Sequence, residues 1–195
     1  MNLPNKLSLI RIFLIPVFVV VFFLNVIPYN EAIAAAIFAV AALTDFLDGY
    51  LARKNGLVTN LGKFLDPIAD KVLVSTAFIL MLTRYEIFGL FGYGFYVAGA
   101  VGVCLILARE LIISAFRQIA AANGVVLAAD MLGKIKTNFQ DYCVVLLILS
   151  AAFTGTAQTV LCAIGLSLFA IAALFTVLSG ISYIAKNPGV LKTQK

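Results

Sequence analysis

The sequence predicts an all-α membrane protein, folded as a bundle of six transmembrane helices. The 195-residue chain is 63% hydrophobic and only 12% charged, and its mean hydropathy is +1.09. Such a composition is typical of polytopic membrane proteins and not of soluble domains. The apolar residues also fall into segments of about 20, the length that a helix needs to cross a bilayer. Because the connections are brief, residues 1–195 are expected to form a single domain.

Six segments meet the length requirement. They are expected at about 12–29, 32–52, 61–83, 87–108, 138–154 and 159–185. The first follows two basic residues, as a signal peptide does, but its apolar run is too long for one and is followed by an alanine-rich segment. The second and third are apolar only in their outer portions. The glycine- and aromatic-rich segment 84–94 is predicted to be a connection on the outer side.

The basic residues predict the orientation of the bundle. With six spans, all of the 14 lysines and arginines except Arg84 fall on one side of the membrane. The positive-inside rule therefore places both termini at the cytoplasmic face. Anionic lipid headgroups account for the net charge of +5, which requires no nucleic-acid partner.

The most polar feature of the chain is a group of four carboxylates, Asp45, Asp48, Asp66 and Asp70. Their i, i+3 and i, i+4 spacing puts each pair on one face of a helix, at the cytoplasmic ends of the second and third segments. Four such acids cannot all stay ionised without cations. Two divalent ions would balance them, and an all-oxygen donor set favours Mg²⁺ or Mn²⁺ over zinc. The sequence thus predicts a two-metal site in a cytoplasm-facing active-site cavity.

Two other interpretations of these acids are weaker. An ion-pair cluster with Arg53 and Lys63 would remain unbalanced, because two basic residues cannot neutralise four acids. A divalent-cation channel or transporter would need acidic residues along a path through the bilayer, whereas Glu31 and Glu86 are expected at the far surface. The chain has no histidine, which removes imidazole catalysis and imidazole metal ligation from consideration. A site confined to one side of the membrane agrees best with these residues.

The acids also belong to a longer motif, Asp-x2-Asp-Gly-x2-Ala-Arg, eight residues, then Gly-x3-Asp-x3-Asp. This motif resembles the complete signature of the CDP-alcohol phosphotransferases, with every fixed position present. Six helices with the motif on the second and third is also the architecture of that family. The resemblance therefore covers the whole chain.

The resemblance implies a role for each matching position. Asp45, Asp48, Asp66 and Asp70 would hold two divalent cations, and Asp70 would also be the general base. The CDP group would be bound by Asn5, Asp48, Gly49, Ala52, Arg53 and Gly62. Members of this family act in membranes on CDP-linked lipids and are usually homodimers. The implied donor is CDP-diacylglycerol, and the implied location is the bacterial cytoplasmic membrane.

A second group of charges bears on the acceptor: Arg109, Arg117, Lys134 and Lys136. Any one of them could be ordinary juxtamembrane charge, but together they suit an acceptor that carries a phosphate. Glu110 is expected to pair with only one neighbour. The segments 108–111, 114–117 and 133–137, and the N-terminal 2–11, resemble bacterial family members that use sn-glycerol 3-phosphate. Inositol phosphate, serine or phosphatidylglycerol are the alternative acceptors, although serine would not need the extra cations.

Overall fold

The computed structural model describes residues 3–55, 60–123 and 131–191, and within these ranges it does not describe the side chains of 3–7, 45–55, 60–67, 131–132, 134 and 191. Every element in the described ranges is a helix. They are α1 (Leu3–Phe23), α2 (Asn30–Asn55), α3 (Asn60–Leu82), α4 (Tyr85–Gly89), α5 (Tyr93–Ala122), α6 (Met131–Ala151), α7 (Thr156–Lys186) and a final 3₁₀ turn (Pro188–Leu191).

The all-α prediction is confirmed, since a long helix lies at each of the six expected positions. Helices α1 and α6 begin earlier than the predicted spans, at Leu3 and Met131, and two further differences have a local cause. The first helix ends at Phe23 and not near residue 29, because the side-chain amide of Asn30 caps it by donating to the Phe22 carbonyl at 2.8 Å. Pro28 also favours a turn in the connection that follows.

The second difference concerns the fourth predicted segment, at 87–108. The structure divides this region into the short α4 and the long α5, with Gly92 between them at a φ of 121°. Only glycine adopts that backbone conformation readily. Helix α5 then continues to Ala122, well beyond the predicted span. The added turns carry Arg109 and Arg117, so both arginines lie on regular helix.

The length and composition of two described helices, α5 and α7, suit a membrane crossing, and Ser8–Phe23 and Asn30–Thr44 are shorter apolar helical segments. Large apolar side chains are exposed on all of these elements and on α3. Examples are Phe13, Leu43, Ile79, Leu111 and Leu174. Exposed apolar surface of this extent is consistent with a membrane protein. Six crossings remain a prediction.

Aromatic packing holds the end of the bundle opposite the aspartate motif. Phe18 lies against Phe38 of α2, with ring centroids 6.0 Å apart, and Phe169 of α7 lies 5.1 Å from Phe88 of α4. The Phe88 ring can lie close to α5 because Gly99 has no Cβ, which would overlap with the ring. Small residues at such contacts let helices pack tightly where lipid removes the hydrophobic driving force.

Helix pairing brings four polar segments together at one end of the bundle. Helix α3 contacts α5 and α6, and α7 contacts α5 and α6. The first half of α3, the second half of α5, the start of α6 and the last turns of α7 therefore meet. The opposite end holds Arg84 and Glu31, which form an ion pair at 3.5 Å.

Candidate active site

A small cavity of about 20 Å³ lies where α3, α5 and α6 meet. Its polar lining consists of Asp70, Lys71, Ser75, Glu110, Lys136, Thr137 and Gln140. Two of the predicted functional residues, Asp70 and Lys136, are therefore brought to one cavity from sequence positions far apart. Asp70 is partly buried, and Lys136 is only 5% exposed.

The carboxylate of Glu110 joins two of the predicted phosphate-binding cations. Its Oε1 accepts from Arg109 Nη1 at 3.3 Å and also forms an ion pair with Lys136 Nζ of α6. The expectation that Glu110 pairs with only one neighbour was wrong. The long side chain of Lys136 reaches from α6 to the same oxygen, a contact between helices that the spacing along α5 could not reveal. Glu110 thus forms ion pairs with one basic residue of α5 and one of α6.

Both arginines of α5 also contact α7. The Nη2 group of Arg109 donates to Ser179 Oγ at 3.0 Å. Arg117 donates through Nε to the Tyr183 hydroxyl at 3.0 Å, and its guanidinium carbon lies 5.1 Å from the centroid of the Tyr183 ring. Arg109 and Arg117 are eight residues apart, about two turns, and share one face of α5 that is turned towards α7.

Lys71 is a member of this polar group that the sequence interpretation missed. Its ammonium donates to Ser114 Oγ of α5, and that hydroxyl donates to the main-chain carbonyl of Glu110. The sequence could have indicated this role, because Lys71 directly follows Asp70 on a mostly apolar helix. It adds another positive charge beside the cavity and connects α3 to α5.

A buried hydrogen bond connects α6, which helps to line the cavity, to α7. The amide of Gln140, on α6, donates to Thr176 Oγ1 of α7 at 3.3 Å. Both side chains are almost fully buried, so the paired groups avoid the cost of an unsatisfied polar atom. This bond helps to keep the start of α6, which carries Lys136, in register with the last turns of α7.

The aspartate motif lies on the two consecutive helices α2 and α3, which contact each other. Asp45 and Asp48 fall in about the last three turns of α2, and Asp66 and Asp70 in about the first three turns of α3. The two halves thus have matching positions along their helices. Carboxylate oxygens are donors that suit Mg²⁺ or Mn²⁺, so the donor set fits the expected ions.

Several predicted residues lie outside the described side chains, and their roles stay predictions. They are Asn5, Asp45, Asp48, Gly49, Ala52, Arg53, Gly62, Asp66 and Lys134. Their main chains follow α1, α2, α3 and α6. Of the predicted site residues, the structure describes the side chains of Asp70, Arg109, Arg117 and Lys136.

Comparison with known proteins identifies close relatives. The model of the CDP-alcohol phosphatidyltransferase family matches residues 1–182. A Bacillus subtilis protein named CDP-diacylglycerol--glycerol-3-phosphate 3-phosphatidyltransferase is 40% identical over 98% of both chains. Proteins of the same name from Rickettsia bellii and Salmonella paratyphi A are 37% identical over 93% of both chains, and 36% identical over 99% of this chain and 98% of the relative.

Proposed function

Because the chain belongs to the CDP-alcohol phosphatidyltransferase family, we propose that it transfers the phosphatidyl group of CDP-diacylglycerol to sn-glycerol 3-phosphate. The products are phosphatidylglycerophosphate and CMP. The observation that carries this proposal is the similarity, over nearly the whole chain, to relatives that bear the name of this reaction. The polar cavity with Asp70 beside a cluster of cations supports it from the structural side.

In the proposed reaction, a hydroxyl oxygen of the acceptor attacks the phosphorus that carries the diacylglycerol. The new phosphorus–oxygen bond forms as the bond to the CMP phosphate breaks. The hydroxyl proton passes to the carboxylate of Asp70, which acts as general base. Asp70 suits this role because its carboxylate lines the same small cavity as Lys136, one of the proposed ligands of the acceptor phosphate.

The donor is proposed to bind along α2 and the start of α3. Asp45, Asp48, Asp66 and Asp70 would hold two Mg²⁺ or Mn²⁺ ions, and Asn5, Asp48, Gly49, Ala52, Arg53 and Gly62 would bind the CDP group. Bound divalent ions supply neutralisation of the pyrophosphate and of the charge on the departing CMP. The chain's own contribution is to hold the donor phosphorus in line with the acceptor hydroxyl.

The acceptor phosphate is proposed to bind Arg109, Arg117, Lys134 and Lys136. Arg109 and Lys136 are brought together through Glu110, and Arg117 lies further along the same face of α5. The Arg117 fork can meet a phosphate with two parallel hydrogen bonds. Positive charge in this amount favours a phosphorylated acceptor over serine.

The protein is further proposed to be a single domain that crosses the bacterial cytoplasmic membrane six times, as a homodimer, with both termini and the cavity on the cytoplasmic side. The orientation can be tested in a variant without native cysteines. A membrane-impermeant maleimide should label Lys186→Cys only in inside-out vesicles and Thr83→Cys only in right-side-out vesicles. The reverse pattern, or labelling of both in one preparation, would contradict the proposed orientation.

The decisive experiment is an assay of purified protein with CDP-diacylglycerol and Mg²⁺. Glycerol 3-phosphate, inositol phosphate and serine are offered in parallel, and CMP release is measured together with the lipid product. Glycerol 3-phosphate should give the highest kcat/KM. Preference for another acceptor would replace the proposed substrate within the same family, and no CMP release with any acceptor would overturn the activity.

A further inference from the structure

The last turns of α7 contain three buried residues that face the arginines of α5: Ser179, Gly180 and Tyr183. We call these three residues the arginine seat. Ser179 accepts from Arg109, and Tyr183 accepts from Arg117, each at 3.0 Å. All three come from α7, a helix that contributes no residue to the predicted site. The arginine seat therefore contacts the two arginines without belonging to the predicted phosphate-binding residues.

Gly180 leaves room for the Arg109 side chain. A Cβ at this position would lie 3.0 Å from Arg109 Cγ and 3.5 Å from its Nε. The 3.0 Å separation from Cγ is shorter than an ordinary van der Waals contact. The side chain of any larger residue at this position would therefore displace the aliphatic part of Arg109. The seat therefore constrains Arg109 by shape as well as by the bond to Ser179.

Tyr183 constrains Arg117 in two ways. Its hydroxyl takes the Nε hydrogen bond, and its ring lies beneath the guanidinium, 5.1 Å from the guanidinium carbon. The ring itself is held by an edge contact with Phe116, with centroids 6.1 Å apart. Within the described part of the chain, the terminal nitrogens of Arg117 make no hydrogen bond, so the two-pronged edge of the guanidinium is left for a ligand.

We propose that the arginine seat positions Arg109 and Arg117 for the phosphate of the acceptor, and that Tyr183 and Ser179 are thus positioning residues that set acceptor affinity. This inference rests on the proposed function. A long arginine side chain loses rotamer freedom when it binds a ligand. Holding the guanidinium in place beforehand lowers that cost, and the gain applies to the acceptor and not to the donor.

The test is Tyr183→Phe, which keeps the ring and its contact with Phe116 but removes the hydroxyl. The KM for glycerol 3-phosphate should rise about three- to tenfold, whereas kcat and the KM for CDP-diacylglycerol should stay within about twofold. Tyr142→Phe is the matched control, since Tyr142 is exposed on α6, and it should leave all three constants unchanged.

Ser179→Ala gives a second measurement, with Ser150→Ala as its control. Both serines are buried and donate to a carbonyl three residues earlier, but Ser179 is the one bonded to Arg109. Loss of that local bond should therefore cost both variants similar thermal stability. Only Ser179→Ala should raise the acceptor KM.

A double-mutant cycle separates positioning from general packing. If Tyr183 acts through Arg117, then Tyr183→Phe should raise the acceptor KM in the wild-type background and have no further effect in Arg117→Ala. The inference is overturned if the same factor persists in Arg117→Ala. It is also overturned if kcat and both KM values change together in Tyr183→Phe.

The outcome also distinguishes this inference from the proposed function. Normal turnover of glycerol 3-phosphate with an unchanged acceptor KM in Tyr183→Phe and Ser179→Ala would overturn the seat and leave the function standing. If inositol phosphate is the better acceptor, the same KM pattern for inositol phosphate would support the seat while the proposed acceptor fails. A preference for serine would overturn both.

Discussion

The two ends of the bundle use the same kinds of side chain in different ways. At the end opposite the candidate site, Arg84 donates to Asn25 Oδ1 at 2.7 Å and forms an ion pair with Glu31 at 3.5 Å. One cation there has one acid and an amide oxygen as partners. These contacts connect the α1–α2 connection and the start of α2 to the residues that follow α3.

At the candidate-site end, the described charged side chains of the site include more cations than acids. Lys71 and Lys136 line a cavity whose described acids are Asp70 and Glu110. Arg109 pairs with Glu110, and Arg117 lies about two turns further along α5. Neutral groups on α5 and α7, namely Ser114, Ser179 and Tyr183, bond three of the cations without cancelling their charge. The Arg84–Glu31 ion pair balances its charges and serves to connect segments of the chain. An excess of positive charge on positioned side chains attracts an anion. This difference is what distinguishes the candidate site from a structural ion pair.

The largest expected effect tests the acidic half of the candidate-site end. Removal of divalent ions with excess EDTA should abolish turnover, because four clustered carboxylates repel one another and the donor pyrophosphate unless cations neutralise them. Added Mg²⁺ or Mn²⁺ should restore it. Asp45→Asn, Asp48→Asn and Asp66→Asn should each lower the rate at least about 10²-fold. Full activity in EDTA would contradict the two-metal proposal.

Asp70→Asn tests the proposed base. The amide cannot accept the acceptor proton as a carboxylate does, so kcat should fall about 10²- to 10⁴-fold. Binding of CDP-diacylglycerol, measured separately, should remain detectable because three carboxylates are left for the metals. If donor affinity is lost together with the rate, Asp70 serves chiefly as a metal ligand.

Neutralising the cations tests the basic half. Arg117→Gln, Arg109→Gln and Lys136→Gln should each raise the KM for glycerol 3-phosphate about ten- to a hundredfold, with a much smaller change in the donor KM. Arg117→Lys should also raise it, because lysine lacks the two-pronged geometry. Effects that instead follow the anionic lipid content of the vesicles, with the acceptor KM unchanged, would assign these residues to membrane anchoring.

The smallest kinetic effect is expected at the end opposite the candidate site, where Arg84→Gln is the matched control for the arginine variants. It should leave kcat and both KM values within about twofold. It should lower stability by about 1 kcal/mol, since it removes a charged hydrogen bond and a partly exposed ion pair. Thermal unfolding in detergent measures this loss. A raised acceptor KM in this variant would mean that the two ends are coupled.

The positions of the long helices could be predicted from sequence because they depend on apolar run length, which is a local property. The end of α1 and the start of α5 could not. They depend on the Asn30 side chain reaching back to the Phe22 carbonyl and on the positive φ of Gly92. A hydropathy pattern contains neither contact, so its boundaries are less accurate than its segments.

For the candidate site, the sequence by itself determined which residues carry the charge: the aspartates at helical spacing and the basic residues of α5 and α6. Their types and local spacing are sufficient for that inference. Only the tertiary structure decided that Glu110 joins Arg109 to Lys136, that Lys71 reaches Ser114, and that Ser179 and Tyr183 lie behind the two arginines. These contacts join side chains on different helices, and no local pattern specifies how one helix is rotated against another.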